Sequence, residues 1–318
     1  MTSFPSLISR SRSKGKALRP RRVSRRNGSR DDSRAAFWML TPWGVGVLGL
    51  VALPSALAIY WSFTEFNLFT TPRWVGLDNY IGLFNDPVFI KSVTNTLYLT
   101  GVGVFAGTAM GLGSALILQR TGRFTTTIRA VIFLPAIVPP VAMGIVWTFI
   151  LNPDYGLLNA SLSIFGIGPI GWLSDPEFAK NGLLMMMLWG TVGQVMITFV
   201  AALQEVPIEI LEAASIDGAG RVRTFTSVVF PSLHGVLLYN IVIATLFYFQ
   251  FFEQAFVVSP TNLGAPAQST LTYALYLYQQ AFTFLDMGSA AAMSVMLLVV
   301  SALVIGGFFA ISRRAGRR

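Results

Sequence analysis

Apolar residues along this chain gather into long, nearly charge-free runs separated by short polar segments. Six runs reach the length that matters for a bilayer: Phe37 to Phe63, Val93 to Leu118, Ala130 to Leu151, Leu183 to Leu203, Leu233 to Val258 and Gly288 to Ile311. A helix rises about 1.5 Å per residue, so about 20 apolar residues cross a hydrocarbon core of about 30 Å. The pattern predicts an all-α, polytopic integral membrane protein with six transmembrane helices. Ala56-Leu57-Ala58 imitates a signal-peptide cleavage site. The apolar core of a signal peptide spans only about 7 to 15 residues, so the first run is expected to stay attached as a span.

Composition agrees with this reading and charge orients it. The chain is 53% hydrophobic and only 12% charged, about half the charged fraction usual in a soluble domain, which argues against an ordinary water-soluble enzyme. The net charge of +9 is local: residues 1–34 hold 11 Lys or Arg against Asp31 and Asp32, and the remaining 284 residues balance at 12 and 12. The 1–34 segment therefore reads as a basic, disordered cytoplasmic tail, and 35–318 as the membrane domain. Cytoplasmic loops are enriched in Lys and Arg. With the N-terminus inside, 20 of 23 basic residues lie on the inner side, leaving only Arg73, Lys91 and Lys180 outside. Both termini are expected in the cytoplasm, and the tail's expected job is to set topology, with attraction to anionic lipid second; nucleic acid is not an expected partner.

Chemistry is limited by what is missing. The chain has no cysteine and a single histidine, His234, which excludes thiolate and histidine-cluster metal sites and Cys nucleophiles. With no H-E-x-x-H and no Gly-x-Ser-x-Gly elbow with a plausible triad, no catalytic residues, no metal site and no cofactor of its own are expected. No P-loop motif occurs, so an ATP-driven process would need its ATPase on another polypeptide.

Within the runs, Gly103, Gly107 and Gly111 recur every fourth residue, a spacing that lets a neighbouring helix approach closely. Pro135, Pro139 and Pro140 remove backbone donors from the third run and are expected to bend or break it. Glu253 is the only acid inside a span, and an ionisable side chain there is a functional candidate. Gln250, Glu253 and Gln254 fall on one helical face at i, i+3 and i+4, among the aromatic residues Phe247, Tyr248, Phe249, Phe251 and Phe252. Gln194 and Thr198 form a second polar pair one turn apart. Carboxamides, a carboxylate and aromatic faces suit a polyhydroxylated substrate, which makes Gln194, Thr198, Tyr248, Gln250, Phe252, Glu253 and Gln254 candidates for a substrate pathway. The alternative is that Glu253 reaches the outer interface and the glutamines hold helices together.

The stretch 204–232 predicts a helix over Ile208 to Ile216, a turn at Asp217-Gly218, and a second short helix from about Gly220 to Val229 that ends before Pro231. Periodicity alone leaves two readings open, a knob that fits a partner's groove or a generic amphipathic loop. The residues themselves are more specific. Glu212-Ala213-Ala214, Asp217-Gly218-Ala219, Phe225 and Pro231 resemble the signature loop of permease subunits in bacterial ABC importers. Five further motifs occur in order: Val75-Gly76-Leu77-Asp78-Asn79-Tyr80, Asn95-Thr96-Leu97, Asn152 through Asn159, Trp172 through Pro176, and Asp286 through Ala291. Together they are similar to the carbohydrate branch of that family, of the maltose and glycerol-phosphate type. Arg223 and Phe230 depart from the signature, which often has Gln and usually Leu at those places, and the large outer insertion of the maltose subunit has no counterpart here.

The resemblance implies an importer type I permease fold in a bacterial cell membrane. It implies a coupling role for Glu212, Ala213, Ala214, Asp217, Gly218, Ala219 and Pro231. The implied partners are a second, homologous permease, two copies of an ATPase that binds ATP and Mg, an extracytoplasmic solute-binding protein or lipoprotein, and a sugar or sugar derivative as substrate. A self-sufficient carrier or channel is the competing class. It predicts an internal repeat and ion-coupling acids within the spans, where only Glu253 is found.

Overall fold

The computed structural model describes residues 30–120, 122–259 and 263–315. Two compact units are distinguished, divided after Pro54. The helix α1, Arg30–Val47, begins inside the stretch read as tail, and most of that tail lies outside the described residues. A π turn, Leu48–Ala52, leads into α2, Leu53–Trp61. Its widened spacing ends just before Pro54, whose ring would clash with the carbonyl four residues back in a regular helix.

The second unit carries most of the molecule. A two-stranded antiparallel ribbon, β1 (Thr64–Glu65) and β2 (Arg73–Trp74), precedes α3 (Asp78–Asn85) and the long α4 (Pro87–Leu118). Asp86 caps α4 by accepting from the backbone N–H groups of Val88 and Phe89, with Pro87 in the first turn, where its missing donor costs nothing. The helix therefore starts well before Val93. Hydropathy reports the apolar part of a helix, whereas capping decides where it begins.

The third run is broken as its prolines predict. The helix α5 (Arg123–Phe133) passes into a 3-10 turn, Leu134–Ile137, and then α6 (Pro140–Ile150), with the two helices at 105° to one another. Five helices among the described residues are long and apolar enough to span a membrane, and this bent pair makes a sixth if it is one span. After α7 (Leu157–Ser163), the long α8 (Ala179–Gln204) descends beside α4. The short helices α9 (Ile208–Ile216), α10 (Arg221–Thr224) and α11 (Phe230–Ser232) follow, the last two joined by a π turn at Phe225–Val229. The helical path thus runs through Pro231 instead of stopping before it, and again a π turn directly precedes the proline.

The fifth run also differs from expectation. It divides into α12 (His234–Phe249) and α13 (Glu253–Val258), with Gln250 to Phe252 outside both. The chain closes with α14 (Tyr273–Phe282) and α15 (Met287–Ala315). Neither α7 nor α14 was anticipated, since both lie in segments read as outer loops, although Thr272 before Tyr273 is an N-cap signal and its hydroxyl accepts from the Leu275 N–H.

Two buried clusters organise the bundle. One joins α4, α8, α12, α14 and α15 through Leu99, Met186, Tyr248, Leu275 and Met293, and the other joins α4, α8 and Leu233 through Ala115, Met196 and Phe199. The glycine stripe of α4 explains how closely these helices pack. A Cβ on Gly103 would lie 2.8 Å from the Tyr248 ring, and one on Gly111 would collide with the Val195 side chain. At the end of α4, the Arg129 guanidinium donates to the carbonyls of Leu118 and Arg120, so a residue counted for topology also caps a helix.

Candidate functional site

The break in the third span bounds a cavity of about 320 Å³. Pro135 to Pro140 form one wall, α8 contributes Thr191, Gln194 and Thr198, α12 contributes Tyr239, Asn240 and Phe247, and Gln254 enters from α13. Of the candidate pathway residues, Gln194, Thr198 and Gln254 are brought together here. The Thr198 hydroxyl donates to the Asn240 side chain at 3.0 Å, and the Asn240 amide donates to the Val236 carbonyl at 3.0 Å. Gln254 is only 3% exposed; its amide donates weakly to the Met143 sulfur at 3.7 Å, while its Oε1 has no partner.

The other four candidates lie elsewhere. Tyr248 is buried between α4 and α8, against Gly103 and Gly107, with its hydroxyl 2.8 Å from that of Thr191. Gln250 terminates α12 and is exposed, and Glu253 opens α13, also exposed. Because the helix is interrupted between them, Gln250 and Glu253 do not share the helical face that their spacing suggests. Phe252 packs in a ring cluster with Phe256 and Tyr278, at centroid distances of 5.5 and 5.0 Å. Sequence reasoning missed Asn240 and the backbone of Pro135 to Pro140 as cavity walls. A polar residue in mid-span and three prolines were the available signals.

The 204–232 stretch has the helix, turn and helix that its residues predict. Gly218 sits at φ +74, a left-handed conformation that suits glycine, and closes α9 by the turn at Asp217. No residue of α9, α10 or α11 is buried. Ile208, Ile216 and Val222 are 63%, 86% and 78% exposed, beside the acids Glu209, Glu212 and Asp217. The Ala213 and Ala214 carbonyls accept from the N–H groups of Asp217 and Ala219, which closes the turn, and Pro231 lies on the helical segment that leads toward α12.

The five other motifs have partners within the chain. Asn79 donates to the carbonyls of Ser62 and Thr64, both at 2.9 Å. Asn95 donates to the carbonyls of Gln268 and Leu271, and Thr96 accepts the Tyr273 N–H at 2.7 Å. Asn159 accepts from the Trp172 indole at 2.9 Å, and Asp286 caps α15 by accepting the Ser289 N–H at 3.0 Å. Tyr276 donates to Asp86 and accepts from the Gln280 amide. Its phenol is pushed far above its ordinary pKa, by burial first and by the hydrogen bond to Asp86 second, so it stays a donor at any physiological pH.

The chain as a whole is similar to known proteins. Residues 103–317 match the family described as "binding-protein-dependent transport system inner membrane component". A probable ABC transporter permease protein, YesP of Bacillus subtilis strain 168, is 36% identical over 280 residues, covering 86% of this chain and 89% of the relative. The sn-glycerol-3-phosphate transport system permease protein UgpA of Escherichia coli O157:H7 is 31% identical over 252 residues, 77% of this chain and 82% of its own. Among solved structures, a bacterial ABC transporter involved in the import of the acidic polysaccharide alginate aligns with a TM-score of 0.77 at 23% identity, covering 90% of this chain and 98% of that one. Long apolar helices, a shared fold and a family model over most of the chain agree: this protein is a multi-pass membrane component of a transport system, and it belongs to the family of binding-protein-dependent transport system inner membrane components.

Proposed function

We propose that the chain is the permease subunit of an ATP-driven importer of a sugar or sugar derivative, contributing half of the translocation pathway. The observation that carries this is the contrast within 204–232. A well-formed helix, turn and helix leaves Ile208, Ile216 and Val222 exposed among the described residues. Exposed aliphatic residues among acids form a surface for another protein. On this reading it seats in a separate ATPase, present in two copies, which binds the ATP and Mg. A second, homologous permease completes the pathway and an extracytoplasmic binding protein delivers the substrate. Both termini face the cytoplasm, in keeping with the distribution of Lys and Arg. The names of the relatives support the substrate class: UgpA is an sn-glycerol-3-phosphate transport system permease, and a lactose transport system permease, LacF of Rhizobium radiobacter, is 34% identical over 247 residues.

Affinity purification of the solubilised protein from its native membrane tests the coupling role. Recovery of a P-loop ATPase is expected, and Glu212→Lys should abolish both that recovery and uptake while leaving the amount of folded permease unchanged. Uptake that persists in Glu212→Lys, or recovery of no ATPase by the unmodified chain, refutes the proposal.

A further inference from the structure

We propose that the cleft between the C-terminal end of α4 and α10 binds an anionic phospholipid, with Arg221 on the phosphate and Leu116, Phe225 and Val229 against the start of the acyl chains. The proposal goes beyond the importer reading and needs only that α4 spans a bilayer. The cleft holds about 390 Å³ and shares no lining residue with the cavity at the broken third span. Leu116 and Gln119 line it from the end of α4, Ser215 from α9, and Arg221 and Phe225 from the segment that follows. The apolar run of α4 stops at Leu118, and Gln119 and Arg120 come next. With 32 residues the helix is about 48 Å long, which exceeds a hydrocarbon core of about 30 Å and carries its last turn to the level of the headgroups.

Charge and hydrogen bonding name the occupant. Arg221 is the only ionisable side chain in the lining, and no acid accompanies it. Among the described residues its guanidinium forms no ion pair, whereas Arg129 nearby commits its own to the Leu118 and Arg120 carbonyls. A guanidinium offers paired N–H donors that match two oxygens of a phosphate. The Thr224 hydroxyl is already donated to the backbone of Ala219 and Gly220, but Gln119 and Ser215 are exposed and make no side-chain hydrogen bond among the described residues, so a carboxamide and a hydroxyl remain as further donors. With no carboxylate to meet a choline ammonium, the cleft favours a headgroup of net negative charge over a zwitterionic one. Arg120 and Arg223, next in sequence to lining residues, add to the positive potential that draws such lipids. The same geometry separates this surface from a protein-docking one. Arg221, Thr224 and Phe225, at i, i+3 and i+4, share one helical face toward the cleft, while Val222, 78% exposed, lies off that face.

The test is native mass spectrometry of the full-length protein, purified with the partners it retains and titrated with dioleoylphosphatidylglycerol, dioleoylphosphatidylcholine or inorganic phosphate. The first phosphatidylglycerol is expected to bind about tenfold more tightly than phosphatidylcholine, and Arg221→Gln should weaken it by about tenfold, the loss of a hydrogen bond to a charged group. Arg223→Gln carries the same loss of charge at a residue that does not line the cleft, and should change the affinity by less than about twofold, as a screened exposed charge does. Equal binding of the two lipids, unchanged phosphatidylglycerol affinity in Arg221→Gln, or an equal loss in Arg223→Gln overturns the proposal. Displacement of phosphatidylglycerol by an equal concentration of inorganic phosphate overturns it as well, since the acyl chains would then contribute nothing. Loss of a co-purifying protein in Arg221→Gln with lipid retention unchanged would assign the guanidinium to a protein interface instead. Uptake and ATPase recovery do not enter the lipid measurement, so the importer reading and the lipid site fail separately.

Discussion

The motifs at the ends of α4, α8 and α15 and the motif in 204–232 look alike as sequence, short polar strings between apolar runs, but the fold treats them in opposite ways. Asn95 is 1% exposed and its amide ties two carbonyls of a segment more than 170 residues away, while Thr96 holds the backbone where α14 begins. Glu212 and Asp217 are exposed, and the hydrogen bonds that shape their loop are local ones, such as Asp217 N–H to Ala213 and Ala219 N–H to Ala214. One set of polar residues is consumed in holding the molecule together. The other is left presented, as the proposed coupling role requires.

That difference sets the order of mutational effects. Asn95→Leu leaves the buried Leu271 carbonyl without a donor and the Gln268 carbonyl with only the Leu271 N–H, and should destabilise the protein by about 3 kcal/mol. Thermal unfolding of the solubilised protein checks this, and an unchanged midpoint would break the distinction between the two regions. Gly111→Val drives a side chain into Val195 and should cost about 2 kcal/mol. Part of that loss should return when Val195→Ala is added, and failure of the rescue would show that α4 and α8 do not meet there. Gly218→Ala forces a Cβ onto φ +74 and should cost about 1 kcal/mol, read as a fall in the denaturant midpoint. Ile216→Ser, at a site 86% exposed, should leave stability within about 0.5 kcal/mol. Its effect should appear only as weakened association with the ATPase in a pull-down. An Ile216→Ser protein that unfolds early would mean the loop is packed on its own chain after all.

Much of this was legible beforehand. The six runs locate the long helices because hydropathy is a local quantity, and the proline triplet marks the break in the third because a missing N–H is local too. The glycine stripe announces a close approach, although only the folded chain shows that Tyr248 and Val195 fill it. Helical spacing placed Gln250, Glu253 and Gln254 on one face, and the interruption after Phe249 separated them. The Leu271 neighbourhood that seats this break, where Thr272 donates to the Phe251 carbonyl at 2.9 Å, comes from a distant part of the chain and has no local signal. In the same way α7 and α14, short and polar at their ends, fall below any apolar-run criterion.

By itself the sequence determined that this is a helical membrane protein, where its apolar segments lie, how its charge is distributed, and that 208–224 forms a helix, a Gly218 turn and a second helix. Each of these follows from nearest-neighbour physics: solvation of apolar side chains, absent donors at proline, and the freedom of glycine. Only the tertiary structure decided which polar residues became struts and which stayed free. It buried Tyr248 among glycines, turned Glu253 outward, and gathered Gln194, Thr198 and Gln254 around one cavity. That division depends on pairings between residues far apart in the chain, and such pairings exist only once the helices have packed.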